Sequence, residues 1–176
     1  MNIRAFSTIL VIMVLVSTNL NNKVGAEANL FSKWRFKKEI ENFGEKQTNK
    51  VPLIYSKKEA LKNGDITFFK ERTSEQKKKI TEFKNNVKNK KPDFIRFTQF
   101  TSNGDAVITE YQFNGKIIYY RYDSSRDRTD QHRKGTFVKG KFVKGSHIVE
   151  DYCKKLVPNS KMSYITNCYK YDKIEF

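Results

Sequence analysis

The spacing of apolar and polar residues changes character several times along the chain, and each change marks an element. Ala5–Val16 is a run of mostly apolar residues behind a single basic side chain, Arg4. At about twelve residues it is short of the ~20 that a membrane-crossing helix needs. It suits the core of a secretory signal, with Val24-Gly25-Ala26 and Ala26-Glu27-Ala28 ending in the small residues a signal peptidase accepts. Residues 1–28 are therefore read as a signal peptide cleaved after Ala26 or Ala28. Residues 29–176 are read as one domain in which 29–50 is a helical N-terminal extension.

Beyond the signal the period becomes helical. Phe31, Trp34 and Ile40 recur near helical spacing within Asn29–Phe43. Ser56-Lys57-Lys58-Glu59 is a capping box, and Asn63-Gly64 supplies the left-handed residue that closes a short helix. Thr73-Ser74-Glu75-Gln76 repeats the start signal. Ile80, Phe83 and Val87 then share a face, which predicts a helix over Ser74–Lys88 that Pro92 follows.

From Phe94 the period is that of strands. Phe94–Thr101, Ala106–Phe113 and Lys116–Asp123 are β-rich runs, with turn signals at Asn103-Gly104 and Asn114-Gly115. A two-residue type I′ turn at Asn114-Gly115 pairs Phe113 with Lys116, Tyr111 with Ile118 and Thr109 with Tyr120. It gathers Tyr111, Phe113, Ile118 and Tyr120 on one face and Ile108, Glu110, Ile117, Tyr119 and Arg121 on the other. The register across Asn103-Gly104 stays open. Asp123–Asp130 is a polar break, read as a solvated turn with local Asp–Arg pairing. Phe137-Val138-Lys139-Gly140 is then echoed by Phe142-Val143-Lys144-Gly145, which suggests paired strands. Cys153 and Cys168 are centred on the turn after Pro158-Asn159, so a hairpin there sets them opposite each other and predicts a disulfide. The fold class that results is α+β: N-terminal helices packed on a twisted antiparallel meander of about five or six strands, with a C-terminal hairpin closed by one disulfide.

Composition then narrows the function classes. The chain has 35 Lys and Arg against 19 Asp and Glu, a formal net charge of +16. Removing Arg4, Lys23 and Glu27 with the signal leaves 33 basic and 18 acidic side chains, so the mature part keeps +15. A hydrophobic content of 38% is too high for a disordered basic tail. Lysines number 27 and arginines 8, which favours diffuse attraction to polyanions over the bidentate forks of specific recognition.

No serine-nucleophile, zinc-protease or phosphate-loop motif is present, and no cofactor or metal is expected. Asp123, Asp127 and Asp130 lack the alternating ligands of a calcium loop. An enzymatic reading, a basic ribonuclease-like nuclease, rests on Glu110 as base, Arg121 at the phosphate and His132 or His147 as acid. A stronger local feature is Gln131–Val149, a stretch free of acids that carries Arg133, Lys134, Lys139, Lys141 and Lys144. With Phe137 and Phe142 interleaved it forms a candidate cationic ribbon for an anionic partner.

From Tyr55 to Cys168 the chain resembles a family of small uncharacterised exported domains and lipoproteins of Bacillus- and Staphylococcus-type Gram-positive bacteria. The resemblance is carried by Leu61-Lys62-Asn63-Gly64-Asp65, Phe94–Thr101, Asn103-Gly104-Asp105, Phe113-Asn114-Gly115-Lys116, Tyr120–Asp127 and the late cysteine pair. This chain departs from it in having no lipid-anchor cysteine and in carrying the extra basic repeat. The resemblance implies an extracytoplasmic location and no known activity. The leading expectation is a secreted, monomeric, noncatalytic binding protein. Its partner is a wall polymer, glycosaminoglycan, nucleic acid or host protein, and a small effector or inhibitor of a host protein is the third reading beside the nuclease.

Overall fold

The structure is a computed structural model that describes residues 32–47, 51–67, 72–128, 136–138, 141–143, 147–159 and 162–176. The expected signal segment, residues 1–28, lies outside the described residues. The chain divides into two compact units, Met1–Asn42 and Phe43–Phe176. In the first, helix α1 covers residues 32–41, inside the helix expected there. The Lys38 ammonium lies 5.5 Å from the centre of the Trp34 ring one turn earlier.

The second unit runs α2 (Lys57–Lys62), β1 (Ile66–Thr67), α3 (Ser74–Lys88), β2 (Asp93–Phe100), β3 (Ala106–Phe113), β4 (Ile118–Asp123), β5 (Thr136–Val138), β6 (Lys141–Val143), β7 (Ile148–Val157), β8 (Tyr164–Cys168) and β9 (Lys173–Glu175). Seven strands form one sheet in the order β1-β2-β3-β4-β7-β8-β9, and β5 and β6 pair apart from it. The sheet exceeds the five or six strands expected, and it is not wholly antiparallel, because β1 pairs with β2 in parallel. Parallel neighbours need a crossover, and α3 provides it. Strands of two and three residues, as in β1 and β9, are too short to display a period of two.

Both helices of this unit are closed at each end by their own sequence. Ser56 with Glu59 and Thr73 with Gln76 form reciprocal capping boxes at the N-termini. At the C-termini the same double closure recurs. The amide of Asp65 donates to the Ala60 carbonyl and that of Gly64 to Leu61, while Lys91 donates to Asn86 and Lys90 to Val87. The left-handed position is Gly64 (φ 77°) in α2 but Lys90 (φ 56°) in α3. A side chain there costs about 1 kcal/mol. Lys90→Gly is accordingly expected to stabilise the protein by up to about 1 kcal/mol in urea unfolding. A loss of stability would show that the Lys90 side chain makes a contact worth more than the strain.

The β3–β4 hairpin differs from the two-residue turn expected. Phe113 pairs with Ile118, Tyr111 with Tyr120 and Thr109 with Tyr122, so the loop spans four residues, Asn114–Ile117. Gly115 has φ 93° and Asn114 is not left-handed. The Asn114 side-chain oxygen instead accepts the amides of Lys116 and Ile117, both at 3.0 Å. The longer loop lets Ile117 bury its side chain. The register moves by two residues, an even shift, so every side chain keeps its predicted face.

One face of the sheet carries the apolar core. Ile80 and Phe83 of α3, flanked by Val87, pack onto Ile95, Phe97, Tyr111, Phe113 and Ile118. Phe176 stacks on Phe83 with centroids 5.3 Å apart and meets Tyr111 edge-on at 4.8 Å. The opposite face is crossed by the segment after Phe43, which is pinned by side chains reaching its backbone. Gln112 donates to the Glu45 carbonyl, Asn114 to that of Phe43, and Arg126 to those of Val51 and Pro52. The Phe43 ring lies against Tyr119 and Tyr152. Cys153 and Cys168 sit opposite each other in the β7–β8 register and are bonded, as their spacing predicts. No helix among the described residues is long and apolar enough to cross a membrane.

Candidate functional site

Strand register lines up alternating charges on the face away from α3. Arg96 on β2 pairs with Glu110 on β3, Glu110 with Arg121 on β4, and Arg121 with Glu150 on β7. The side chains follow the backbone. Arg96 Nε donates to Glu110 Oε1 at 2.7 Å, Arg121 Nη1 approaches Oε2 at 3.5 Å, and Arg121 Nε lies 3.8 Å from Glu150. At one end Asp65, arriving from the loop before β1, faces Arg96 at 3.4 Å and accepts hydrogen bonds from the hydroxyls of Tyr55 and Thr98. Asp123 faces Arg121 at 3.0 Å and Arg126 at 2.8 Å, and Lys46 faces Glu150 at 3.7 Å. Four acids and four bases thus alternate in a neutral row.

The row is largely withdrawn from water. Glu110 has no accessible surface, Asp123 retains 2% and Arg121 9%. Burial raises the Glu110 carboxyl above its ordinary value, against the downward pull of the two guanidiniums. Burial also acts to raise Asp123. There the Ser125 hydrogen bonds, Arg126 and Arg121 outweigh it and hold the carboxyl below its ordinary value. Tyr119 donates its hydroxyl to Glu150, and burial followed by that acceptor pushes the phenol up.

The sequence-predicted site residues fall as follows. Glu110 and Arg121 share a face, as the pattern indicates, and lie directly opposite each other. Both Glu110 oxygens meet guanidiniums inside the protein, so neither is presented to a substrate, whereas a general base must reach the proton it removes. His147 is partly buried, and its carbonyl accepts the Ser124 amide at 2.8 Å. His132, Arg133, Lys134, Lys139 and Lys144 lie outside the described residues. Lys141 occupies a strand position opposite Val138, where Phe137 and Phe142 pair. Asp123 is engaged with arginine as expected, but it is buried rather than solvated, because two guanidiniums and the Ser125 amide replace its water. Asp130 lies outside the described residues.

Sequence reading missed Arg96, Asp65, Glu150 and Lys46 as members of the row. Arg96 needed the β2–β3 register, and Asp65 lies 31 positions from Arg96 with no periodic link to it.

A second buried acid, Asp151, organises the chain after β8. Its carboxylate accepts the amides of Tyr152 at 2.7 Å, Lys170 at 3.1 Å and Tyr171 at 3.0 Å. It also lies within 4.8 Å of both cysteine sulfurs. Those sulfurs are bonded to each other and offer no thiolate, so the grouping lacks the chemistry of a metal site. No family model, curated protein or solved structure matches the chain.

Proposed function

We propose that the protein is an exported, noncatalytic, cationic binding domain whose partner is an anionic polymer at the bacterial envelope or on a host surface. The observation that carries this reading is the division of labour between its two kinds of cation. Arg96, Arg121, Arg126 and Arg128 are spent on carboxylates of the fold, whereas no lysine is buried among the described residues. Four of the six described arginines, whose forks suit specific bidentate recognition, thus brace the fold, and the outward charge is carried mainly by the hydrated point charges of lysine. Lys77, Lys78 and Lys88 project from the exposed side of α3, and the acid-free stretch Gln131–Val149, with Arg133, Lys134, Lys139, Lys141 and Lys144, is the second cationic segment of the sequence. The disulfide supports an oxidising, extracytoplasmic setting.

The test is binding of the purified mature domain to wall polymer, sulfated glycosaminoglycan and single-stranded nucleic acid at low and high salt, alongside a nuclease zymogram. Association that is strong at low salt and lost at high salt, with a blank zymogram, is expected. Absence of binding to all three polymers, or a cleared zymogram, would overturn the proposal.

A further inference from the structure

A cleft of about 670 Å³ opens between α3 and the chain around β9, within the size range of small-molecule sites. Aromatic rings make its floor. Phe97 and Tyr111 meet at 88° with centroids 5.9 Å apart, and Phe176 meets both nearly edge-on at 5.9 and 4.8 Å. Phe83 backs Phe176, so the rings are held by the core. Tyr120 completes the floor, 5.5 Å from Tyr111.

Two cations stand over this floor. The Arg72 guanidinium lies 5.9 Å from the Phe97 centroid and the Lys84 ammonium 5.6 Å from that of Phe176. Among the described residues the lining has one acidic side chain, that of Glu175, whose backbone carbonyl accepts the Tyr111 hydroxyl at 2.6 Å. Gln99 and Thr109 add neutral polar groups to the wall.

We infer that this cleft binds a small aromatic anion, its ring on the Phe97–Tyr111–Phe176 floor and its carboxylate between Arg72 and Lys84. The inference goes beyond the polymer reading, since the cleft accepts one compact group, whereas Lys77, Lys78 and Lys88 project from the exposed side of α3. Burial, and after it the charge of Arg72, lowers the Lys84 ammonium below its ordinary value, a cost that a bound carboxylate relieves. Burial and then Tyr122 and Tyr171 push the Tyr120 phenol up to about 12. Rings fixed before binding lose little freedom on contact, so the site is preorganised.

The probe is 2-naphthoate, titrated calorimetrically into the protein, with 2-naphthylmethanol as the neutral ligand of the same ring. Saturable binding tighter than about 1 mM is expected for the acid and at least about tenfold weaker binding for the alcohol. Lys84→Met should weaken naphthoate about tenfold, Lys84→Arg should restore it, and Lys62→Met on the exposed side of α2 should leave it unchanged. The inference is overturned if naphthoate does not bind or the alcohol binds equally well. It also fails if Lys84→Met has no effect, or if Lys62→Met costs as much as Lys84→Met.

Discussion

Glu110→Ala is expected to destabilise the protein by about 3–5 kcal/mol, the largest loss for any single side chain of the charged row. The substitution removes the acid between Arg96 and Arg121, whose side chains are only 11% and 10% exposed. Two guanidiniums would then face each other across a site with almost no water to screen them. The loss comes from stranding charge, not from the intrinsic worth of an ion pair. Replacing Arg96, Glu110 and Arg121 together by apolar residues of similar volume should therefore cost far less than Glu110→Ala alone. Urea unfolding of the two variants makes the comparison. A Glu110→Ala cost below about 1 kcal/mol would mean that water enters the row freely.

Replacing Cys153 and Cys168 together by alanine is the second large effect. The bond joins positions 15 apart and closes the β7–β8 hairpin, so the chain-entropy model assigns it about 3 kcal/mol. Cys153 is also fully buried within the α3-side core, and truncation there adds to the loss. The expected signature is a lower urea midpoint together with a larger dependence of stability on denaturant, because the freed unfolded chain exposes more surface. An unchanged midpoint in the double variant would place the stability of this hairpin elsewhere, with Asp151 and its three amide donors as the natural source.

Local signals in the sequence translated well into structure where the chemistry itself is local. The bounds of α3 and β3 follow from capping boxes and periodicity, and the cysteine pairing follows from symmetry about a turn. The hairpin register was two residues out because the Asn114 side chain builds a turn that a dipeptide rule does not describe. The faces nevertheless survived, since only odd shifts exchange them. The charged row was legible as Glu110 and Arg121, beside the local Asp–Arg pairing that Asp123 and Arg126 make. Its other members come from β2, β7 and two loops, and their juxtaposition depends on strand pairings that no short window contains. The cleft was equally hidden, because Phe97, Tyr111 and Phe176 belong to three strand regions that meet only in the folded sheet.

These observations give the excess charge a physical meaning. Among the described residues the buried arginines are balanced by carboxylates and every lysine keeps contact with water, and lysine makes up 27 of the 35 basic side chains behind the net charge of +16. A surface of that kind binds by releasing counterions, with little regard for the partner's sequence. The most direct measurement is the salt dependence of affinity for two unrelated single-stranded oligonucleotides, used as defined polyanions. It is made with the unsubstituted protein and with the Lys77→Gln/Lys88→Gln variant. The account predicts equal affinities for the two sequences, a steep linear fall of log K with log salt, and a slope shallower by on the order of 1 in the variant. A flat salt dependence, or an affinity that distinguishes the two sequences, would contradict it.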